Sequence, residues 1–202
     1  AEAGADFIGL VFAPSPRQVN VSGAKKVINA LKDGGRAVET VGVFVNLPAA
    51  TIIGVYEKLG LDWVQLSGDE PPAFCRELGL PVFKVIRISR NYRPDDVCRH
   101  LDYSERLIGD LKHRFLLDSS DRERYGGTGT AFDWSYARPI AERFPVIVAG
   151  GLTPENVAEA IDAMQPWGVD VSSGVEASRG VKDAGRMREF IRKVRERDAR
   201  TT

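Results

Sequence analysis

Short apolar runs alternate with longer amphipathic stretches along the whole chain, and this alternation constrains the fold more than any other feature. Seven runs read as strands: Phe7–Phe12, Val41–Val45, Trp63–Leu66, Val82–Ile88, Phe115–Leu117, Val146–Ala149 and Val169–Val171. Most are near-continuous in apolar residues, as parallel strands covered on both faces must be. The spacing predicts helices over Ser22–Lys32, Pro48–Leu59, Pro71–Leu78, Pro94–Leu101, Trp134–Arg143, Pro154–Ala163 and Asp183–Arg195. Several open on proline or a capping residue; Thr153 stands where it can cap, with Pro154 in the first helical position. Repeated βα units of this kind build a parallel sheet.

A (β/α)8 TIM barrel needs eight such units, typically in about 250 residues and sometimes nearer 200. Seven units in 202 residues fall one short, and Ala1–Gly4 read as the tail of a helix entering a strand. The expectation is therefore a single (β/α)-barrel domain over residues 1–202, N-terminally truncated, with the first strand absent from the chain. A doubly wound open sheet could be built from seven strands without a missing piece. It would carry its glycine-rich phosphate loop after the first strand, whereas here such turns follow the last three.

Composition narrows the partners. Lys plus Arg equals Asp plus Glu at 28 each, so no overall field favours nucleic acid or an anionic membrane, and any anion site must be local. The two cysteines, Cys75 and Cys98, lack metal-ligand spacing and are too few for a disulfide framework, which suits a reducing, cytoplasmic compartment. No apolar run approaches the roughly 18 residues that span a bilayer, and Ala1 does not open a secretory leader. There is no Ser-His-Asp order, no metal-ligand cluster and no dinucleotide fingerprint, so neither metal nor cofactor is expected.

In a barrel the chemistry sits at the carboxyl ends of the strands, and phosphate commonly binds at the last loops. Three glycine-rich turns lie there: Gly126-Gly127-Thr128-Gly129 after Phe115–Leu117, Gly150-Gly151-Leu152-Thr153 after Val146–Ala149, and Ser172-Ser173-Gly174 after Val169–Val171. Glycine lets backbone N–H groups approach an anion closely; any one of these loops could instead be only a tight turn. Asp118 ends its strand and could act as a general acid or base, or cap a loop. Asp170, inside an apolar run, must be hydrogen-bonded or paired, whether it supports a site or only the fold. Arg17, in a loop after Phe7–Phe12, could clamp a carboxylate in two parallel hydrogen bonds, or be solvated. Lys84 and Arg87 sit three apart on one strand and so face opposite sides. Cys75 reads as an inert core thiol, and His100 and His113 read as distant from the catalytic face.

These motifs together resemble the phosphoribosylanthranilate isomerase family of tryptophan biosynthesis. The resemblance runs over nearly the whole chain, through Gly4 to Pro14 with Arg17, Val41 to Asn46, Val64 to Glu70, Leu116 to Asp118, Gly126 to Gly129 with Phe132 to Trp134, Ala149 to Asn156 and Val169 to Glu176. It implies an Amadori rearrangement of N-(5-phosphoribosyl)anthranilate to 1-(2-carboxyphenylamino)-1-deoxyribulose 5-phosphate without metal or coenzyme. By the resemblance, Asp118 gives a proton to the ring oxygen and Arg17 holds the anthranilate carboxylate. Gly127, Gly129, Gly150, Gly151, Ser172, Ser173 and Gly174 hold the phosphate, with Asp170 contributing to substrate binding. The family's general base is a cysteine in a Lys-Ile-Cys-Gly segment; these 202 residues contain no such segment, and neither Cys75 nor Cys98 matches its position. The expectation is a base upstream of Ala1, without which the chain is inactive. Family members usually carry histidine where Ser67 stands. The implied partners are a small sugar phosphate and, by association or fusion, another tryptophan-pathway enzyme. Other phosphate-binding barrel enzymes, of the thiamine phosphate synthase or indole-glycerol-phosphate synthase kind, and a non-catalytic phospho-ligand-binding remnant are the alternatives.

Overall fold

A computed structural model describes residues 1–35, 37–88, 93–118 and 134–201. Strands and helices alternate: β1 (Phe7–Val11), α1 (Val21–Asp33), β2 (Glu39–Phe44), α2 (Ala49–Leu59), β3 (Trp63–Leu66), α3 (Pro72–Leu78), β4 (Val82–Arg87), α4 (Pro94–Ile108), β5 (His113–Asp118), α5 (Trp134–Ala141), β6 (Val146–Ala149), α6 (Val157–Met164) and β7 (Gly168–Val169). A 3-10 turn (Ser173–Val175), a two-stranded antiparallel hairpin of β8 (Glu176–Ser178) and β9 (Val181–Lys182), and α7 (Ala184–Thr201) follow. The main sheet takes β1 to β7 in sequence order, and the registered pairs are parallel. Strand order never reverses, so the doubly wound alternative, which needs a reversal at its switch point, is excluded.

The chain forms two compact units that interleave in sequence, one of Ala1–Val85 with Ser104–His113 and one of Ile86–Tyr103 with Arg114–Thr202. In the first, β1 pairs with β2 from Phe7↔Glu39 to Val11↔Val43, and β2 with β3 from Val41↔Trp63 to Phe44↔Leu66. Aromatic side chains fill the amino-terminal ends of these strands. Trp63 stacks on Phe83 with ring centroids 4.4 Å apart, and Phe7 meets Phe83 edge-on at 5.3 Å. The Trp63 indole N–H donates to Glu39, and the Lys112 ammonium lies 4.4 Å from its ring centroid. These contacts give that end a packed floor and leave polar groups to the other end.

In the second unit β5 pairs with β6 from Phe115↔Val146 to Asp118↔Ala149, and β6 with β7 at Ile147↔Gly168 and Val148↔Val169. Phe115, Leu116 and Leu117, like Val146, Ile147 and Val148, are buried without alternation, which is the double coverage that their apolar runs required.

The differences from expectation lie at element ends. α4 continues to Ile108 because Leu101, Ser104 and Ile108 keep a buried stripe at helical spacing. The α6 helix begins at Val157, but its hydrogen bonding starts where the cap was expected: the Thr153 hydroxyl accepts from the Glu155 amide, and the Val157 amide donates to the Thr153 carbonyl. Ala1–Gly4, expected as a helix tail, close a turn through the Gly4 amide and the Ala1 carbonyl. The hairpin β8–β9 and the 3-10 turn went unforeseen, being too short for either period to register.

Phe83 is 2% exposed at the centre of the aromatic floor, so Phe83→Ala should lower stability by about 3–5 kcal/mol. Chemical denaturation is the check, with an unchanged slope against denaturant showing that the loss lies in the folded state.

Candidate active site

In the first unit the polar groups gather just beyond the carboxyl ends of β2 and β3. Glu70 is the hub. One carboxylate oxygen accepts from the Asn46 amide at 2.7 Å; the other accepts from the Gly68 amide at 3.0 Å and pairs with the Lys84 ammonium at 3.4 Å. Lys84 also reaches the Gly68 carbonyl at 3.5 Å. Asn46 returns the contact, its side-chain oxygen accepting from the Asp69 amide at 2.8 Å. Its backbone is left-handed at φ 51°, a conformation asparagine tolerates better than most residues. Glu70 and Lys84 are 7% and 4% exposed. A charge pair so buried is retained only with its hydrogen bonds satisfied, and here it ties the loops after β2 and β3 to β4.

Ser67 lies in this knot and accepts from the Gln65 side chain at 3.0 Å. Cys75 packs behind it, fully buried, and burial pushes its thiol up to about 11 despite the nearby Lys84 charge. Arg17 is half-buried in the loop after β1, its amide held by the Ser15 hydroxyl at 3.0 Å.

In the second unit the strand register brings two carboxylates into one row. Asp118 stands opposite Ala149. Asp170 was expected inside the last strand, but β7 stops at Val169 and Asp170 is the first residue beyond it. Its amide donates to the Val148 carbonyl at 2.8 Å, which extends the ladder one step and sets Asp170 on the other side of Ala149. Residues aligned across parallel strands share a face, and two strand spacings put these Cα atoms roughly 10 Å apart. Solvent reaches the Asp170 side chain, yet the surrounding protein is dense enough that desolvation is the main influence on its carboxyl. A position on the wall of a concavity has both properties. Desolvation and then the Asp118 charge raise the Asp170 pKa, while Lys182 and the Val171 amide work in the opposite direction.

The loops that follow β6 and β7 are pinned from behind. Gly150 and Gly151 have φ 89° and 68°, which only glycine adopts at little cost. The Gly151 carbonyl accepts from the Asn156 side chain at 3.0 Å. Gly174 packs directly on the Leu152 backbone: a Cβ there would lie 1.8 Å from the Leu152 oxygen. Ser172 and Ser173 are exposed. Gly127 and Gly129, with the rest of 119–133, lie outside the described residues. His100 is exposed on α4, and His113 opens β5 at its amino end. Among the described residues no group of three His, Cys, Asp or Glu is placed to hold a metal ion, and no helix is long and apolar enough to cross a membrane.

Reading residue types missed Glu70, Lys182 and Arg186, and left open which of Lys84 and Arg87 turns inward; Lys84 is the buried one. The available signal for Glu70 was a lysine inside the otherwise apolar run of β4, which required a buried partner.

Carboxylates and glycine-rich loops at the carboxyl ends of sequential parallel strands are the layout of a (β/α)-barrel enzyme. The family model described as N-(5'-phosphoribosyl)anthranilate (PRA) isomerase matches residues 1–193. An N-(5'-phosphoribosyl)anthranilate isomerase from Roseiflexus castenholzii is 46% identical over 200 residues, covering 96% of this chain and 90% of that protein. The crystal structure of phosphoribosyl anthranilate isomerase from Thermotoga maritima superposes with a TM-score of 0.83 at 39% identity, covering 96% of this chain and 90% of the other. A further phosphoribosyl anthranilate isomerase structure, in complex with reduced 1-(o-carboxyphenylamino)-1-deoxyribulose 5-phosphate, gives 0.79 at 36% identity, with 96% and 90% covered. The chain belongs to the N-(5'-phosphoribosyl)anthranilate (PRA) isomerase family, and its fold is the (β/α)8 barrel of that family.

The two clusters respond differently to substitution. Glu70→Leu leaves a buried ammonium and two amides without their acceptor and should cost about 3–5 kcal/mol, whereas Lys84→Met leaves Glu70 its two amide donors and should cost less. Denaturation of both variants gives the comparison. For Asp170 the raised pKa means that the folded state holds its proton to higher pH than the unfolded chain, so the group costs stability once pH rises through that window. Asp170→Asn should therefore raise Tm at neutral pH, with the gain fading as pH falls below the ordinary carboxylate range. Melting curves from pH 3 to 8 test this.

Proposed function

We propose that this chain catalyses the Amadori rearrangement of N-(5-phosphoribosyl)anthranilate to 1-(2-carboxyphenylamino)-1-deoxyribulose 5-phosphate, the isomerase step of tryptophan biosynthesis. The observation that carries the reading is the family match over residues 1–193, joined to Asp118 at the carboxyl end of β5. In the forward direction the proton of the Asp118 carboxyl moves to the furanose ring oxygen as the bond from that oxygen to the anomeric carbon breaks. The nitrogen lone pair takes up the electron deficiency as an iminium. A base then removes the proton on the neighbouring carbon, giving an enolamine that tautomerises to the ketone. Overall one C–H is lost and one gained, and no external oxidant or reductant enters.

Asp170, in the same row as Asp118 and with a raised pKa, is suited to hydrogen-bonding the sugar chain or its nitrogen. The amides of Gly151, Ser173 and Gly174 suit the phosphate, with Gly150 and Ser172 supporting the same two loops; Gly127 and Gly129 are assigned there by resemblance alone. Arg17 is assigned to the anthranilate carboxylate. Neither cysteine suits the base. Cys75 is fully buried with its thiol pushed up to about 11, and burial also raises the Cys98 thiol. By resemblance alone, that role belongs to the cysteine of the family's Lys-Ile-Cys-Gly segment, which these 202 residues do not contain. The setting proposed is cytoplasmic, since two cysteines are too few for a disulfide framework, and the partner proposed beyond the substrate is another tryptophan-pathway enzyme, associated or fused.

The test uses the protein as the gene encodes it, with conversion of N-(5-phosphoribosyl)anthranilate as the readout. Asp118→Asn keeps shape and removes the transferable proton, so kcat should fall by roughly 10² to 10⁴ with KM within a few-fold. Turnover per folded molecule within about threefold of the unsubstituted protein would remove Asp118 from the acid role. Arg17→Ala should act mainly on KM, and an unchanged KM would remove Arg17 from the carboxylate.

A further inference from the structure

An anion cradle made of backbone requires peptide units turned one way, amides toward the ligand and carbonyls away. The loop after β7 has a device that enforces this orientation. The Ser172 carbonyl accepts from the Lys182 ammonium at 2.6 Å, and the Gly174 carbonyl accepts from the Arg186 guanidinium at 3.0 Å. The Ser173 carbonyl is taken by the Glu176 amide. Carbonyls 172, 173 and 174 are thus all engaged on the hairpin and α7 side. Among the described residues nothing accepts from the amides of Ser173 and Gly174.

Each cation is neutralised in place. Lys182 pairs with Glu176 at 3.4 Å, and Arg186 with Glu155 at 3.1 Å. The Glu155 carboxyl is held below the usual carboxylate range by the Thr153 hydroxyl and, further, by Arg186. The Asp183 side chain caps α7 by accepting from the Arg186 amide at 2.8 Å, which fixes the base of that side chain. Through Glu155, Arg186 also links the loop after β7 to the segment that follows β6. Neutralised cations behind a loop orient peptides more than they add field.

We infer that Lys182 and Arg186 are positioning residues for the phosphate end of the substrate, holding the Ser172 and Gly174 carbonyls back from the anion. The Ser173 amide shares the Ser172 peptide and so faces the anion, and the Gly174 amide follows from the Ser173 carbonyl held by the Glu176 amide. The inference rests on the reading that these loops hold the phosphate. Both side chains are about two-fifths exposed, so each contributes the modest amount of an accessible hydrogen bond. Lys182→Met with Arg186→Met should raise KM, and the Kd of inorganic phosphate, by roughly three- to tenfold, with kcat within about twofold. Lys182→Arg and Arg186→Lys, which keep a donor, should restore most of the affinity.

The experiment is a titration with inorganic phosphate followed by amide NMR, alongside substrate kinetics. The expected result is that phosphate shifts the Ser173 and Gly174 amides in the unsubstituted protein and does so more weakly in the methionine variants. If phosphate shifts those amides but the folded methionine variants bind it with unchanged Kd, the positioning role is overturned and the phosphate reading stands. If phosphate leaves those amides unmoved in the unsubstituted protein, the phosphate reading falls and the inference with it. Arg186→Met alone serves where the double variant does not fold, since it leaves the Lys182 contact intact. A purely structural role would lower Tm and leave Kd per folded molecule unchanged, which is again the overturning result.

Discussion

Parallel pairing in register is the constraint on which the rest of the structure depends. Because consecutive strands run the same way and pair in order, every strand delivers its last residue to the same edge of the sheet. Asp118 and Asp170 lie far apart in sequence, yet one row of the ladder, through Ala149, brings them to the same face. A slip of one residue along β5 would turn Asp118 to the opposite face. The continuous apolar runs of β5 and β6, buried on both sides, hold that register.

The two units hold their carboxyl-end loops by different chemistry. Beyond β2 and β3 a single buried carboxylate organises two amides and a lysine, so the arrangement is satisfied as a whole or fails as a whole. Beyond β6 and β7 the restraints are separate and accessible: Asn156 on Gly151, Lys182 on Ser172 and Arg186 on Gly174. Separate restraints let one loop adjust while the others stay in place.

Much of this was legible in the sequence, for identifiable reasons. Strands β3 and β6 match their expected bounds because uninterrupted apolar runs leave few other conformations. The place of Asp118 at the carboxyl end of β5 was legible because the apolar run before it ends there. The position of Asp170 was misread by one residue, since the end of β7 is set by pairing with β6 and not by its own side chains. Lys84 with Glu70, and Lys182 with Arg186, were illegible as partners. A charged residue near a loop looks solvated until the backbone brings its acceptor within reach, and carbonyl acceptors leave no mark in a sequence at all.

The missing Cβ at Gly174 has a consequence for how such a protein can change over generations or in the laboratory. The Leu152 carbonyl occupies the space that any other residue at 174 would need, so the segments after β6 and β7 share one wall. Neither can be exchanged for the corresponding segment of a distant relative without refitting the other. Insertions that lengthen one of them must leave that wall in place. The two therefore behave as a single heritable module, even though a strand and a helix separate them in the chain.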